Sequence, residues 1–354
     1  MTPADQPHLA GLRDRGGRPA LHLLEPDLGR VSGGLRYNAA LADGADRLLG
    51  TQGLIQRHAV PGAWPHPTEE DEAALHTLAA GLDAPVVVDG LIGSSLRRPL
   101  ELQVPVIQLL HAPLAESDPS ALDRERSAMH AADAVLTTSR HAVKTLKQLT
   151  GIWATPVEPG VEERPVAQGS PGGNHLICVG AVEPNKNQVF LTSVLLDLVE
   201  EGLTDWHITF AGPHTDPAYA ARLIRICDQL PPGTATVTGE LDPAEVDALY
   251  HRADLLLLPS HAETFGMVVT EAASAALPAL VTAGTGAEQS LVTGQALPLD
   301  EGRWAQVLET WLTTPGLRAE ARADAVRRRS GLRTWQDAAD ELFQVLHRLT
   351  ERTP

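Results

Sequence analysis

Short, continuous apolar runs alternate with helical patterns along most of this 354-residue chain. In the first half, ALHLL from Ala20, PVVVDG, PVIQLLH and AVLTTS each read as a buried strand. LRYNAALADGADRLL, DEAALHTLAAGL (71–82) and ALDRERSAMHAAD (121–133) read as helices. Apolar strands separated by helices predict a parallel sheet covered on both faces. A Gly-, Pro- and Ser-rich stretch at 163–174 then reads as a linker. After it the alternation restarts. HLICVG, WHITFAG, ATVTG, DLLLLPS and PALVTA are expected strands, with PALVTA the last clear one. QVFLTSVLLDLVEEG, AYAARLIRICDQL, PAEVDALYHRA and GMVVTEAASAAL are expected helices. The reading is two doubly wound α/β domains, 1–165 and 171–330. In the tail, Trp335, Ala338, Leu342, Val345 and Leu349 recur at helical spacing and need a partner surface. The tail helix, 334–354, is expected to pack back on the N-terminal domain.

Length and charge narrow the function. At about 150 residues per domain, two domains fit. The formal charge is −17, from 45 acids against 28 bases, so nucleic-acid binding starts from a low expectation. The same charge, with no basic amphipathic stripe, makes membrane association an unlikely expectation without excluding it. No apolar run of about 18 residues suggests a span. The polar stretch 1–17 reads as lacking a secretory leader, so a cytoplasmic protein is expected. Two cysteines, Cys178 and Cys227, exclude a disulfide framework and a cysteine-based zinc cluster. Arg-, Ala- and Leu-rich usage suggests a bacterial source of high GC content.

Ligands of open α/β sheets bind beyond the C-terminal ends of the strands, and two such domains are expected to face each other across a cleft. The segment PSHAETFGMVVTEAASAALPAL, 259–280, is the most informative of these strand ends. A helix beginning near Gly266 offers unpaired N–H groups and a positive dipole end, a natural phosphate site. Glu263 lies in the loop before it. Glu271, eight positions later, could accept bonds from vicinal hydroxyls such as those of a ribose. Spacing alone equally allows Glu263 to be a helix-start acid and Glu271 a solvated helix residue.

AETFGMVVTEA, with two glutamates flanking seven residues, resembles the signature of glycosyltransferase family four. CVGAVEPNKNQ (178–188), FAGP and VTGELDPAEVDALYHRADLLLLPS follow the family's order, as do SGGLRYNAAL, VVDGL, LLHAPL, TTSRHAV and PVEPGVE in the first half. The resemblance spans roughly residues 20–349. It implies the GT-B fold, two Rossmann-like domains, with the acceptor on the N-terminal one and a nucleotide sugar on the C-terminal one. It implies a retaining, hexosyltransferase-type enzyme. Residue by residue, Glu271 would hold the donor ribose and Glu263 would face the donor sugar. The N–H groups of Phe265, Gly266 and Met267 would lie near the diphosphate or sugar. Lys186 would neutralise the departing diphosphate, Gly33 and Gly34 would close over it, and His111 would contact the transferred sugar. The expected catalytic residues are therefore Glu263, His111 and Lys186. No metal or cofactor is expected, since no Asp-x-Asp motif stands at a strand end and the nucleotide sugar is a co-substrate. The acceptor is a sugar, a lipid-linked sugar or a small molecule.

The sequence departs from the family pattern at Ala181 and Asn185, where an arginine is usual. Arg140 or Arg36 could supply the missing cation. Two alternatives stand beside the transferase. One is a GT-B-like sugar epimerase with Glu263 and Asp89 as its carboxylates. The other is a degenerate, non-catalytic nucleotide-sugar-binding protein.

Overall fold

In the computed structural model, which describes residues 7–9, 12 and 18–351, the chain divides into two compact units. Unit 1 comprises Met1–Gly160 with Arg333–Pro354, and unit 2 comprises Val161–Leu332. Most of the stretch 1–17, read as lacking a leader, lies outside the described residues, as do the last three residues of the expected tail helix.

Unit 1 holds β1 (Leu21–Pro26), β2 (Ile55–Val60), β3 (Val86–Asp89), β4 (Val106–Leu110), β5 (Ala134–Thr137) and β6 (Thr155–Pro156). They form one parallel sheet in the order β2-β1-β3-β4-β5-β6. The order reverses between β1 and β3, and such a reversal opens a crevice at the C-terminal strand ends. The helix Gly33–Leu49 follows β1, capped by the Ser32 hydroxyl, which accepts from the Leu35 N–H. The tail helix, Trp335–Thr350, packs on it. A capping box between Thr334 and Asp337 starts that helix, and Trp335, Ala338, Ala339, Leu342, Phe343, Val345 and Leu346 are buried. The Trp335 ring meets Tyr37 of the Gly33–Leu49 helix edge-on at 5.4 Å.

Unit 2 holds β7 (His175–Val179), β8 (His207–Ala211), β9 (Ala235–Gly239), β10 (Leu255–Leu258), β11 (Ala279–Thr282) and β12 (Gly294–Leu297). All neighbours are parallel, in the order β12-β11-β10-β7-β8-β9. This is the Rossmann order, with its reversal between β7 and β10. Side chains alternate across the sheet as a pleat requires. Leu176, Cys178, Leu255 and Leu257 join one core with Phe210 and Trp304. Ile177, Val179, Leu256 and Leu258 join the other with Val269 and Ala272. Burial pushes the Cys178 thiol up to about 12, so it serves as an apolar core residue.

The boundary differs from the sequence expectation. The chain passes from unit 1 to unit 2 after Gly160, and residues 163–174 are part of unit 2 rather than a free linker. The Ala167 N–H donates to the Ala275 carbonyl, and those of Gln168 and Gly169 donate to the His251 carbonyl. Asp254 accepts the Ser170 hydroxyl and the His175 N–H. Glycine and proline here serve a bound crossing segment, and composition alone does not separate that from a linker.

Burial holds the imidazoles of His58 and His175 below their ordinary value of 6.5, with the nearby His22 adding to the effect at His58. Unfolding lets both take protons, so this contribution is complete above about 6.5 and is lost as pH falls through the lowered folded values. Melting temperature is therefore expected to fall between about pH 7 and about pH 5.5, with a shallower slope in His58→Gln. A flat profile over that range would contradict this.

Candidate active site

The C-terminal ends of β7 and β10, which flank the reversal of the unit 2 sheet, carry Lys186 and Glu263. After β7 the chain makes a single 3-10 turn, Pro184–Lys186, and then Asn187, at φ 55°, caps the helix Gln188–Glu200. Three successive side chains of this turn reach the loop after β10. Asn185 donates from Nδ2 to the Ala262 carbonyl and accepts the Ala262 N–H on Oδ1, both at 3.1 Å. Asn187 Nδ2 donates to the Pro259 carbonyl at 3.2 Å. Between them, Lys186 Nζ donates to Glu263 Oε1 at 2.6 Å. The same oxygen accepts the Ser260 hydroxyl at 2.7 Å. Lys186 keeps 23% of its side chain exposed and Glu263 keeps 10%, so the pair sits in a recess rather than in bulk water.

At Asn185, where the family pattern usually has an arginine, stands an amide that fastens two loops. That place holds the site's shape and supplies no charge. Arg36 and Arg140, weighed as substitutes, both belong to unit 1, and Arg140 pairs with Glu158 at 3.3 Å.

Glu263 leads through Thr264 and the buried Phe265 to Gly266, which caps the helix Met267–Ser274. Gly266 adopts φ 82°, a left-handed conformation that L side chains rarely take. Its Cβ would also lie 3.2 Å from Ala287. Among the described residues, the N–H groups of Phe265, Gly266 and Met267 donate to no protein acceptor. They open the helix in the manner that suits a phosphate. Glu271 is not the solvated helix residue that spacing allowed: it is 6% exposed and accepts the buried Tyr250 hydroxyl on Oε2 at 3.1 Å.

In unit 1, Gly33 and Gly34 open the helix after β1, Asp89 ends β3 and His111 follows β4. His111 Nε2 lies 3.0 Å from Asn38 Oδ1 and 3.2 Å from Asp89 Oδ2. Asn38 Nδ2 donates to Asp89 Oδ2 at 3.1 Å, and the Leu91 N–H donates to Asp89 Oδ1 at 2.9 Å. Asp89 is buried, which works against its charge, yet His111, Leu91 and Asn38 outweigh burial and hold its carboxyl below the usual range. Sequence reasoning did not single out Asn38, Ser260 or Tyr250. Each is an ordinary polar residue on a helix or loop, and only the fold shows its partner.

A Cβ on Gly34 would sit 2.8 Å from the His111 ring. Gly34→Ala is expected to displace His111, costing about 1–3 kcal/mol of stability by overpacking. Scanning calorimetry checks this, and an unchanged melting temperature in Gly34→Ala would contradict it.

Residues 162–327 match the family described as glycosyl transferases group 1. Unit 2 is a group 1 glycosyl transferase domain. Over 112 residues the chain is 38% identical to the glycogen synthase of Mycobacterium tuberculosis, covering 30% of this chain and 27% of that protein. Over 198 residues it is 28% identical to the D-inositol 3-phosphate glycosyltransferase of Kineococcus radiotolerans, covering 50% of this chain and 44% of that one. The chain thus spans less than half the length of these two relatives. Among solved structures, Anabaena HepE in complex with UDP and glucose aligns with TM-score 0.74 at 16% identity. The alignment covers 93% of this chain and 99% of HepE, so the likeness extends the fold assignment to both units. The chain has the two-domain α/β GT-B fold, as the resemblance implied. The group 1 domain carries Lys186, Glu263, Phe265, Gly266, Met267 and Glu271; unit 1 carries Gly33, Gly34 and His111.

Proposed function

We propose that this protein is a retaining glycosyltransferase that moves a sugar from a nucleoside-diphosphate sugar to an acceptor hydroxyl. The observation that carries the reading is the Lys186–Glu263 pair at the strand-order reversal of a group 1 domain, one short loop from three unengaged helix-start N–H groups. Unit 2 holds the nucleotide: Glu271 takes the ribose hydroxyls, the N–H groups of Phe265, Gly266 and Met267 take phosphate or sugar oxygens, and Lys186 meets the charge that grows on the leaving diphosphate. Unit 1 binds the acceptor; His111 is its residue for the transferred sugar, and Gly33 and Gly34 are its residues for the diphosphate. Positioning and charge stabilisation then supply the rate, and the departing phosphate is the base that takes the acceptor proton.

The epimerase alternative needs a carboxyl free to give and take protons. Asp89 spends Oδ1 on Leu91 and Oδ2 on Asn38 and His111, and Glu263 is engaged by Lys186 and Ser260. That speaks for positioning roles. No helix among the described residues is long and apolar enough to cross a membrane. Because HepE was solved with UDP and glucose, UDP-glucose heads the panel of nucleotide sugars to test. Slow release of free sugar from one donor, lowered about 100-fold in Lys186→Met, is the expected result. Nucleotide-sugar binding with no turnover across donors and acceptors would favour the non-catalytic alternative.

A further inference from the structure

The hydrogen-bond polarity around His111 fixes which ring nitrogen is available to a ligand. Asp89, ionised, is an acceptor at both oxygens. Asn38, with its Nδ2 on that carboxylate, must turn Oδ1 to the imidazole; the reversed amide would set two acceptors face to face. Nε2 of His111 therefore looks at two acceptors, Asn38 Oδ1 and Asp89 Oδ2, and must carry a hydrogen. A neutral imidazole has one N–H, so Nδ1 holds the lone pair. Among the described residues Nδ1 has no partner, and the side chain keeps 20% exposure. Two contacts restrain the ring itself. Gly34 lies against its Cδ2 edge, and Tyr37 meets it at 5.1 Å and 72°, anchored by a 2.7 Å bond from its own hydroxyl to the Val157 carbonyl.

We propose that Asn38 and Asp89 are positioning residues that lock His111 as its Nε2–H tautomer and so present Nδ1, an acceptor, to a hydroxyl of the donor sugar. The sugar-facing half of this statement rests on the transferase reading; the lock itself does not. Asn38 is wholly buried and Asp89 nearly so, and both stand at the strand-order reversal of unit 1. A polar triad at that depth is costly unless every member is satisfied, and the Nε2–H form satisfies all three.

The test is nitrogen NMR of the full chain with labelled histidine, at mildly alkaline pH, with the His111 signals identified by their loss in His111→Gln. The expected spectrum shows a protonated Nε2 and an unprotonated Nδ1. In Asp89→Asn the Leu91 N–H keeps the amide oxygen, so an NH2 group faces Nε2 and His111 should change to the Nδ1–H form. Turnover should then fall about tenfold, the scale of one lost hydrogen bond, with nucleotide affinity changed by less than about twofold. A parent His111 found as Nδ1–H overturns the lock, and that measurement needs no variant, so it decides even if Asp89→Asn does not fold. A tautomer change with unaltered turnover overturns the role toward the sugar. A parent chain with the expected tautomer and no turnover on any nucleotide sugar overturns the transferase reading and the sugar-facing half with it, while the lock stands.

Discussion

If the protein is the proposed transferase, Lys186→Met is expected to lower turnover at saturating donor by about 100-fold while weakening ground-state nucleotide binding much less. In the proposed reaction the glycosyl bond breaks by releasing a diphosphate that gains negative charge, and an interaction that grows in that step appears in turnover rather than in binding. A loss on the order of 3 kcal/mol gives this factor at about 1.4 kcal/mol per tenfold. The structure adds a complication that spacing could not show. Lys186 is also the partner of Glu263, whose side chain is 10% exposed, so removing it leaves the carboxylate with the Ser260 hydroxyl as its donor among the described residues. Breaking a wholly buried pair costs about 3–5 kcal/mol. The cost here is smaller, because Lys186 retains 23% exposure and water can reach the pair. The double variant Lys186→Met with Glu263→Gln separates the two roles. It removes both charges and leaves the Ser260 hydroxyl an amide oxygen to donate to. Stability should recover, and turnover should stay low. Recovery of turnover along with stability would mean that Lys186 serves Glu263 and not the leaving group.

The strands that were legible and those that were not differ in one physical respect. The interior strands are covered on both faces and read as apolar runs, unbroken in β10 (LLLL) and interrupted by one buried Gln108 in β4 (VIQLL). β2, β6 and β12 escaped notice, and all three lie at sheet edges. β2 is IQRHAV with an exposed polar middle, β6 has two residues, and β12 begins with the exposed Gly294 and Gln295. An edge strand can be short or polar because half its surroundings are solvent or loop. The site divides in a similar way. Lys186, Glu263 and Glu271 could be singled out because they stand in ordered motifs next to strand ends. Asn38 and Tyr250 act through partners far away in sequence, and Ser260 through a turn that brings it back onto Glu263. Asn38 meets Asp89 and His111 from a helix two strands earlier, and Tyr250 reaches Glu271 from the helix before β10. No local pattern encodes such a meeting; the parallel topology brings it about.

Glu271→Gln lowers nucleotide affinity by roughly 30- to 100-fold and leaves unit 2 folded. A bond to a carboxylate is worth about 1.5–3 kcal/mol against about 0.5–1.5 kcal/mol for a neutral one, so two ribose hydroxyls lose about 2–3 kcal/mol together. Glutamine is chosen over alanine because of Tyr250. That ring is wholly buried, and its hydroxyl donates to Glu271 Oε2 at 3.1 Å. Alanine would take this acceptor from the hydroxyl and leave a hole, whereas the glutamine amide oxygen can still accept from it. Tyr250→Phe is the matching control. It removes the internal bond, leaves the carboxylate and its charge in place, and should cost stability of about 1 kcal/mol with little effect on affinity. Calorimetric titration of both variants with UDP, GDP and ADP decides between two roles for the same buried acid. If Glu271 exists to hold Tyr250, the two variants lose stability alike and bind nucleotide as the parent does. If it holds the ribose, affinity falls in Glu271→Gln alone, and by a similar factor for every nucleotide the parent binds, because the base does not enter the contact.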